Sequence, residues 1–147
     1  MRPIRFRGKC VADSKYAGQW ATGGYCEPDE ECPEKYKNEG LIVTNLGGNC
    51  QCEYHVIPET VGQFTGVLDK NGEEIYEGDI IQALDSQGEP MRHQVYYLES
   101  EARFATKLVG YDMLGEGDLT QRWINEIGFE IIGNIHDNPK LLKLKKK

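Results

Sequence analysis

Five cysteines, three histidines and 24 carboxylates are the side chains of this 147-residue chain that could carry chemistry. Five residues stand between Cys26 and Cys32, and one between Cys50 and Cys52. Together they are a candidate zinc set, because zinc accepts four thiolates in a tetrahedron; yet paired ligands are usually separated by about two to four residues, and neither pair obeys that spacing. Glu27, Asp29, Glu30 and Glu31 crowd the first pair, and like charge raises a thiol pKa and opposes the thiolate a metal needs. The plainer reading makes Cys10, Cys50 and Cys52 small core residues and leaves Cys26 and Cys32 at the flanks of a loop. An odd cysteine count excludes a complete disulfide framework within one chain.

His55, His93 and His136 are scattered, with no HExxH pair, no serine in a GxSxG elbow and no glycine-rich loop opening a helix. No nucleophile is marked, and the carboxylates read as a solvated face. The chain therefore reads as a non-enzyme, with no cofactor apart from the zinc alternative. Arg5, Arg7 and Lys9 form a basic stripe on one strand face, and Lys143 with Lys145, Lys146 and Lys147 forms a basic tail. With Trp20, Tyr96 or Tyr97 nearby, these could hold single-stranded nucleic acid. Net charge opposes that use: the chain carries −7, and residues 26–91 hold fifteen acids against three bases, whereas residues 1–25 hold five bases against one acid. Affinity for phosphate backbones comes mostly from Lys and Arg, so the acidic middle favours basic protein partners instead.

The elements that must position these residues are short strands. From Ile4 to Val11 the residues alternate, with Ile4, Phe6, Gly8 and Cys10 on one face, the pattern of a half-buried strand. Gln19 to Cys26 reads as its return strand. Residues 27–40 hold two prolines and five acids between Glu27 and Glu34, a composition suited to a surface excursion. Leu41 to Leu46 and Cys50 to Ile57 follow as strands around Gly47-Gly48-Asn49, with Leu41, Val43, Cys50, Cys52 and Tyr54 expected to point inward. Next comes Gln63 to Leu68, then Asp69-Lys70-Asn71-Gly72, the grammar of a type I turn closed by a glycine bulge. Glu74 to Leu84 is interrupted at Glu77-Gly78-Asp79, where a bend is expected. Asp85 to Gly88 reads as another turn, Met91 to Leu98 and Phe104 to Val109 as strands, and Phe129 to Ile135 as the last. Asp118 is expected to cap a short helix that buries Leu119, Trp123 and Ile127. Asn138-Pro139 is expected to cap and start another.

The stretch PETVGQFTGVLDKNGEEIYEGDII, preceded by RPIRFRGK near the N-terminus and followed by FEIIGNIHDNPKLL, resembles the signature of the YopX family of phage and prophage proteins. The resemblance implies a small, largely β protein encoded in phage genomes or prophage regions, with no established activity and no catalytic residues to carry over. Its matching positions include Gln63, Thr65, Gly66, Asp69, Asn71, Gly72, Tyr76, Gly78, Asp79, Gly133, Asn134, Asn138 and Pro139, which read as turn and bulge residues rather than as a ligand site.

The fold expected is mainly β, a small antiparallel barrel or sandwich with one or two short helices, its C-terminal half resembling an SH3-like barrel by analogy. At this length a single domain over residues 1–147 with one core is expected, comprising a β region at 1–57 with its acidic loop, the signature and C-terminal β region at 58–142, and the basic tail at 143–147. No apolar run approaches the ~20 residues of a membrane span, and Met1 to Cys10 has no apolar centre of a secretory signal. Residence in the cytoplasm of a bacterial host is the expectation. The function expected is that of an accessory protein acting by self-assembly or by binding a host or phage protein, with a nucleic-acid-binding barrel and a zinc-stabilised module as alternatives.

Overall fold

A computed structural model describes residues 3–28, 30–31, 33–45, 51–111 and 117–143. It divides into two compact units, Met1–Phe64 and Thr65–Lys147. Each has its own buried apolar cluster where one core was expected.

The first unit is an antiparallel sheet of β1 (Phe6–Lys9), β2 (Trp20–Cys26), β3 (Gly40–Asn45), β4 (Gln51–Val56) and the start of β5 (Gly62–Leu68), in the order β4-β3-β2-β1-β5. Register assigns the faces, since directly paired residues share a side. Phe6 opposes Gly23 and Gly8 opposes Ala21, while Tyr25 opposes Ile42 and Ile42 opposes Tyr54. This face buries Cys10, Ala21, Ile42 and Val56, with Phe6, Tyr16, Tyr25 and Tyr54 packed around them. Ile42 is thus the inward residue of β3, and Leu41 and Val43 lie on the opposite face from Cys52 and Tyr54. Three consecutive apolar residues, Leu41-Ile42-Val43, contain no period-2 information, so only the pairing could settle their parity.

Beyond β1 an isolated bridge joins Cys10 to Val56. The Val11 N–H donates to the His55 carbonyl at 3.0 Å and the Ile57 N–H to the Lys9 carbonyl at 2.9 Å. The sheet curls until the end of its edge strand touches the chain after β1, and stops there. Neither sheet closes into a barrel.

β5 crosses the boundary and, in the second unit, pairs with β6 (Glu74–Tyr76). A second antiparallel sheet follows, built from β7 (Asp79–Leu84), β8 (Pro90–Leu98), β9 (Arg103–Leu108), β10 (Gly117–Asp118) and β11 (Glu130–Asn134), in the order β10-β9-β8-β7-β11. Its two ends are open, so the SH3-like closure expected for this half is not formed. The one α-helix among the described residues, α1 (Gln121–Ile127), contributes Ile124 to a core of Val67, Ile75, Ile81, Ala83, Val95 and Phe129. Its cap is Thr120, whose Oγ1 accepts the Trp123 N–H at 3.1 Å; Asp118, expected in that role, is instead paired with Ala105 in β10. Ile127, expected to be buried, is 44% exposed and stands in the last turn, while Ile124 is the helix residue that the core buries.

Candidate functional site

The signature residues of the second unit gather around two carboxylates. Asp69 opens the β5–β6 hairpin, and its Oδ1 accepts the N–H groups of Asn71 at 2.7 Å and Glu73 at 3.0 Å. The Gly72 N–H donates to the Asp69 carbonyl at 3.0 Å, with Gly72 at φ +85°, the glycine-closed turn expected from its spacing. The other Asp69 oxygen accepts the Ile131 N–H at 3.1 Å, which ties the hairpin to β11. Burial alone would raise the pKa of this carboxyl; the backbone N–H groups it accepts outweigh that and hold it below the usual carboxylate range. Asp85-Ser86-Gln87-Gly88-Glu89 repeats the device between β7 and β8: Asp85 Oδ1 accepts the Gln87 and Glu89 N–H groups at 2.8 and 2.9 Å.

Asp79, 1% exposed, holds the bend between β6 and β7 by accepting the Tyr76 N–H at 2.8 Å. Gly78 stands there at φ +85°, donating to the Val95 carbonyl at 3.0 Å and accepting the Ile135 N–H at 2.9 Å. Thr65 Oγ1 donates to the Ile75 carbonyl at 2.7 Å, Tyr76 Oη donates to Glu74 Oε2 at 2.7 Å, and Gly66 is the positive-φ residue of β5. Gln63 lies in the first unit, opposite Phe6. In β11 the register slips between Ile131 and Gly133. Asn134 Oδ1 accepts the N–H groups of His136 at 3.0 Å and Asp137 at 2.9 Å. Asn138 does not cap the 3₁₀ turn Pro139–Leu142 as expected; its Oδ1 reaches back 3.3 Å to the Asn134 N–H. The reason is Gly133, which has no side chain to exclude that amide: a Cβ there would lie 2.8 Å from Asn138 Cγ. These residues spend their polar atoms on the chain itself.

Of the candidate zinc ligands, Cys32 and Cys50 lie outside the described residues. Cys26 opposes Leu41, and Cys52 opposes Thr44, the second inward position after Ile42. Cys26 and Cys52 consequently project from opposite faces of one sheet, so these two cannot share one ion. His93 lies in the second core, its ring 5.2 Å from that of Trp123 and 5.3 Å from that of Phe129. Neither of its nitrogens has a hydrogen-bond partner, and burial pushes its pKa down to about 4. On the outer face of the first sheet the Arg7 guanidinium stands 4.8 Å over the Trp20 ring, covering the aromatic surface that a nucleic-acid base would need. Of the basic tail only Lys143 is described.

Sequence reasoning missed a cleft of about 290 Å³ on that same outer face. Leu41 and Pro28 supply apolar surface, and Cys26, Glu27, Glu31, Tyr36, Glu39 and His55 complete the lining. The surface excursion, with its 3₁₀ turn Glu34–Tyr36, brings Tyr36 onto His55 with ring centroids 4.3 Å apart. On the other side His55 Nδ1 is 3.0 Å from Glu39 Oε2, an oxygen closed off from solvent. Leu41 stands between Cys26 and His55 in the register, which puts their Cα atoms about 10 Å apart, two strand spacings. No thiol–imidazole pair is assembled. The signal that could have shown this site was the parity of Leu41, Cys26 and His55, which depends on pairing.

The family model described as YopX protein matches residues 15–143. The chain belongs to the YopX family. Of the three segments that carry the resemblance, the N-terminal RPIRFRGK precedes the matched residues. The YopX chain is similar in structure to the crystal structure of protein EF1440 from Enterococcus faecalis, with 20% identity, a TM-score of 0.57, and coverage of 97% of this chain and 100% of that one. At that identity the likeness shows the fold alone. The comparison with curated proteins gives no match. No helix among the described residues of this YopX protein is long and apolar enough to cross a membrane.

Proposed function

We propose that the protein is a nonenzymatic accessory protein of a phage or prophage that acts in the bacterial cytoplasm by binding another protein or further copies of itself. The observation that carries this reading is the edge of the first sheet. β4 lies at the end of the strand order, and His55 turns its carbonyl away from β3 toward Val11. Backbone groups alternate in an antiparallel strand, so Gln51 and Glu53 also face away from β3, on the part of the edge beyond the Cys10–Val56 bridge. Such an edge is a template for another strand, and closed symmetric assembly is the common way to cover it.

Light scattering at high concentration should find a dimer or higher assembly, or a stoichiometric partner retained through purification. Glu53→Pro should release it while leaving the fold intact, because proline removes an outward N–H and spares the β3 ladder. A monomer without a partner would overturn the reading.

A further inference from the structure

We propose that Asn71 is a self-modification site, an asparagine that cyclises onto Gly72 and becomes isoaspartate or aspartate when the β5–β6 turn opens, and that Asp69 prevents this in the folded chain. The sequence holds one Asn-Gly pair, Asn71-Gly72. In such a pair the glycine nitrogen can attack Cγ of the asparagine side chain, because glycine has no side chain to obstruct the approach and leaves the backbone free to reach the cyclic geometry. A bond forms between the Gly72 nitrogen and Asn71 Cγ, the Cγ–Nδ2 bond breaks, and the amide nitrogen leaves as ammonia with the proton that Gly72 gives up. One water then opens the five-membered imide at either carbonyl, to aspartate or isoaspartate, with no change of oxidation state. Both residues are exposed, and open space surrounds the position where a Gly72 Cβ would stand, so water can reach the imide.

Folding withholds both reacting groups. The Gly72 N–H, which must lose its proton, donates to the Asp69 carbonyl at 3.0 Å. The N–H groups on either side of it, of Asn71 and Glu73, donate to Asp69 Oδ1 at 2.7 and 3.0 Å, so a carboxylate faces the place where the attacking amide would turn negative. Like charge opposes that ionisation. The Asn71 side-chain amide donates to the same carboxylate, which restrains the rotation that would bring Cγ onto the Gly72 nitrogen. The turn is clamped from outside as well: the Lys70 N–H donates to the Phe129 carbonyl at 2.9 Å, Lys70 Nζ lies 2.9 Å from Glu130 Oε2, and Asp69 Oδ2 accepts the Ile131 N–H at 3.1 Å. The same closure makes the change one-way. The Asp69 N–H donates to the Glu73 carbonyl at 2.8 Å, and isoaspartate would add a main-chain carbon between those two residues. Either product also sets a second carboxylate against that of Asp69. A modified chain cannot rebuild the turn, and the hairpin loses its tie to β11.

The test is incubation of the full chain at mildly alkaline pH, with the peptide around Asn71 followed by mass spectrometry and by fragmentation that separates aspartate from isoaspartate. The folded parent should modify Asn71 about tenfold more slowly, or slower still, than the parent unfolded in urea, a factor that corresponds to about 1.4 kcal/mol of protection. Asp69→Asn should lift most of that difference while its NMR spectrum stays dispersed. Asp85→Asn, which removes the equivalent carboxylate from the β7–β8 turn, should not. In urea, Gly72→Ala should react more slowly than the parent, which ties the product to attack by the Gly72 nitrogen. Hydrogen exchange in the parent gives a readout that needs no variant: the Gly72 amide should be protected by a factor similar to that for modification, because both need the same local opening. Equal rates in the folded and unfolded parent, an Asp69→Asn chain that is folded and as slow as the parent, or equal acceleration by Asp85→Asn would overturn the inference. So would an unchanged rate in unfolded Gly72→Ala, or a Gly72 amide that exchanges freely while Asn71 stays intact.

Discussion

Two titratable residues, half-buried His93 and buried Asp69, give the second unit two separate windows of acid sensitivity. His93 is held at about 4, below the ordinary imidazole value, because protonation would place a charge between Trp123 and Phe129 with no acceptor at either nitrogen. The unfolded chain takes up this proton near pH 6.5, so stability is lost as pH falls from about 6.5 through about 4. His93→Leu should flatten that loss, seen as a smaller change in urea midpoint between pH 7 and pH 5 than in the parent. Asp69 works lower on the scale. Its folded pKa lies below the unfolded value of about 3.9, so its contribution is complete above that value and disappears as pH falls through the folded one. Asp69→Asn should cost about 1.5 to 3 kcal/mol at neutral pH, the range for hydrogen bonds to a charged group, and should remove the acid dependence below pH 4. An unchanged acid profile in Asp69→Asn would show that its three N–H contacts do not carry the effect.

At the level of elements, two glycines in the signature make different demands. Gly72 closes the β5–β6 turn at φ +85° with open space where a Cβ would stand, so Gly72→Ala should destabilise by about 1 kcal/mol through backbone strain alone. Gly133 adds a collision to its positive φ, because its β-bulge is packed under the Asn138 amide. Gly133→Ala should therefore cost more, about 2 kcal/mol or above. Part of that cost should vanish in an Asn138→Ala background, where the obstacle is gone; a double-mutant cycle by thermal unfolding measures the coupling. Strict additivity would mean that strain at Gly133, rather than the Asn138 contact, sets the requirement. Either result keeps these residues in the business of shaping β11 and its exit.

For the whole molecule, the acidic balance matters more than any single basic stripe. A net charge of −7 and the Arg7 guanidinium over Trp20 together predict no mobility shift of single-stranded DNA or RNA at about 150 mM salt. A shift that persists there, and weakens as salt is raised, would instead favour the nucleic-acid reading.

Local grammar carried the second unit a long way. Asp69-Lys70-Asn71-Gly72, Glu77-Gly78-Asp79 and Asp85-Ser86-Gln87-Gly88 each specify their turn through bonds that span at most four residues, so their roles were legible without knowledge of the fold. The mainly β class followed from the succession of short strands, and the family from this stretch together with RPIRFRGK and FEIIGNIHDNPKLL. Tertiary structure alone decided what depends on pairing and packing. It put Ile42 inward and Leu41 outward, placed Cys26 and Cys52 on opposite faces, replaced Asp118 by Thr120 as the helix cap, and turned Asn138 back onto Asn134. It also left the sheets open, because whether a row of short strands closes depends on long-range ladders that no local pattern encodes. The cleft of Glu39, Leu41 and His55 belongs to this second group: its residues come from β3, β4 and the excursion before them, and only strand register sets them on one face.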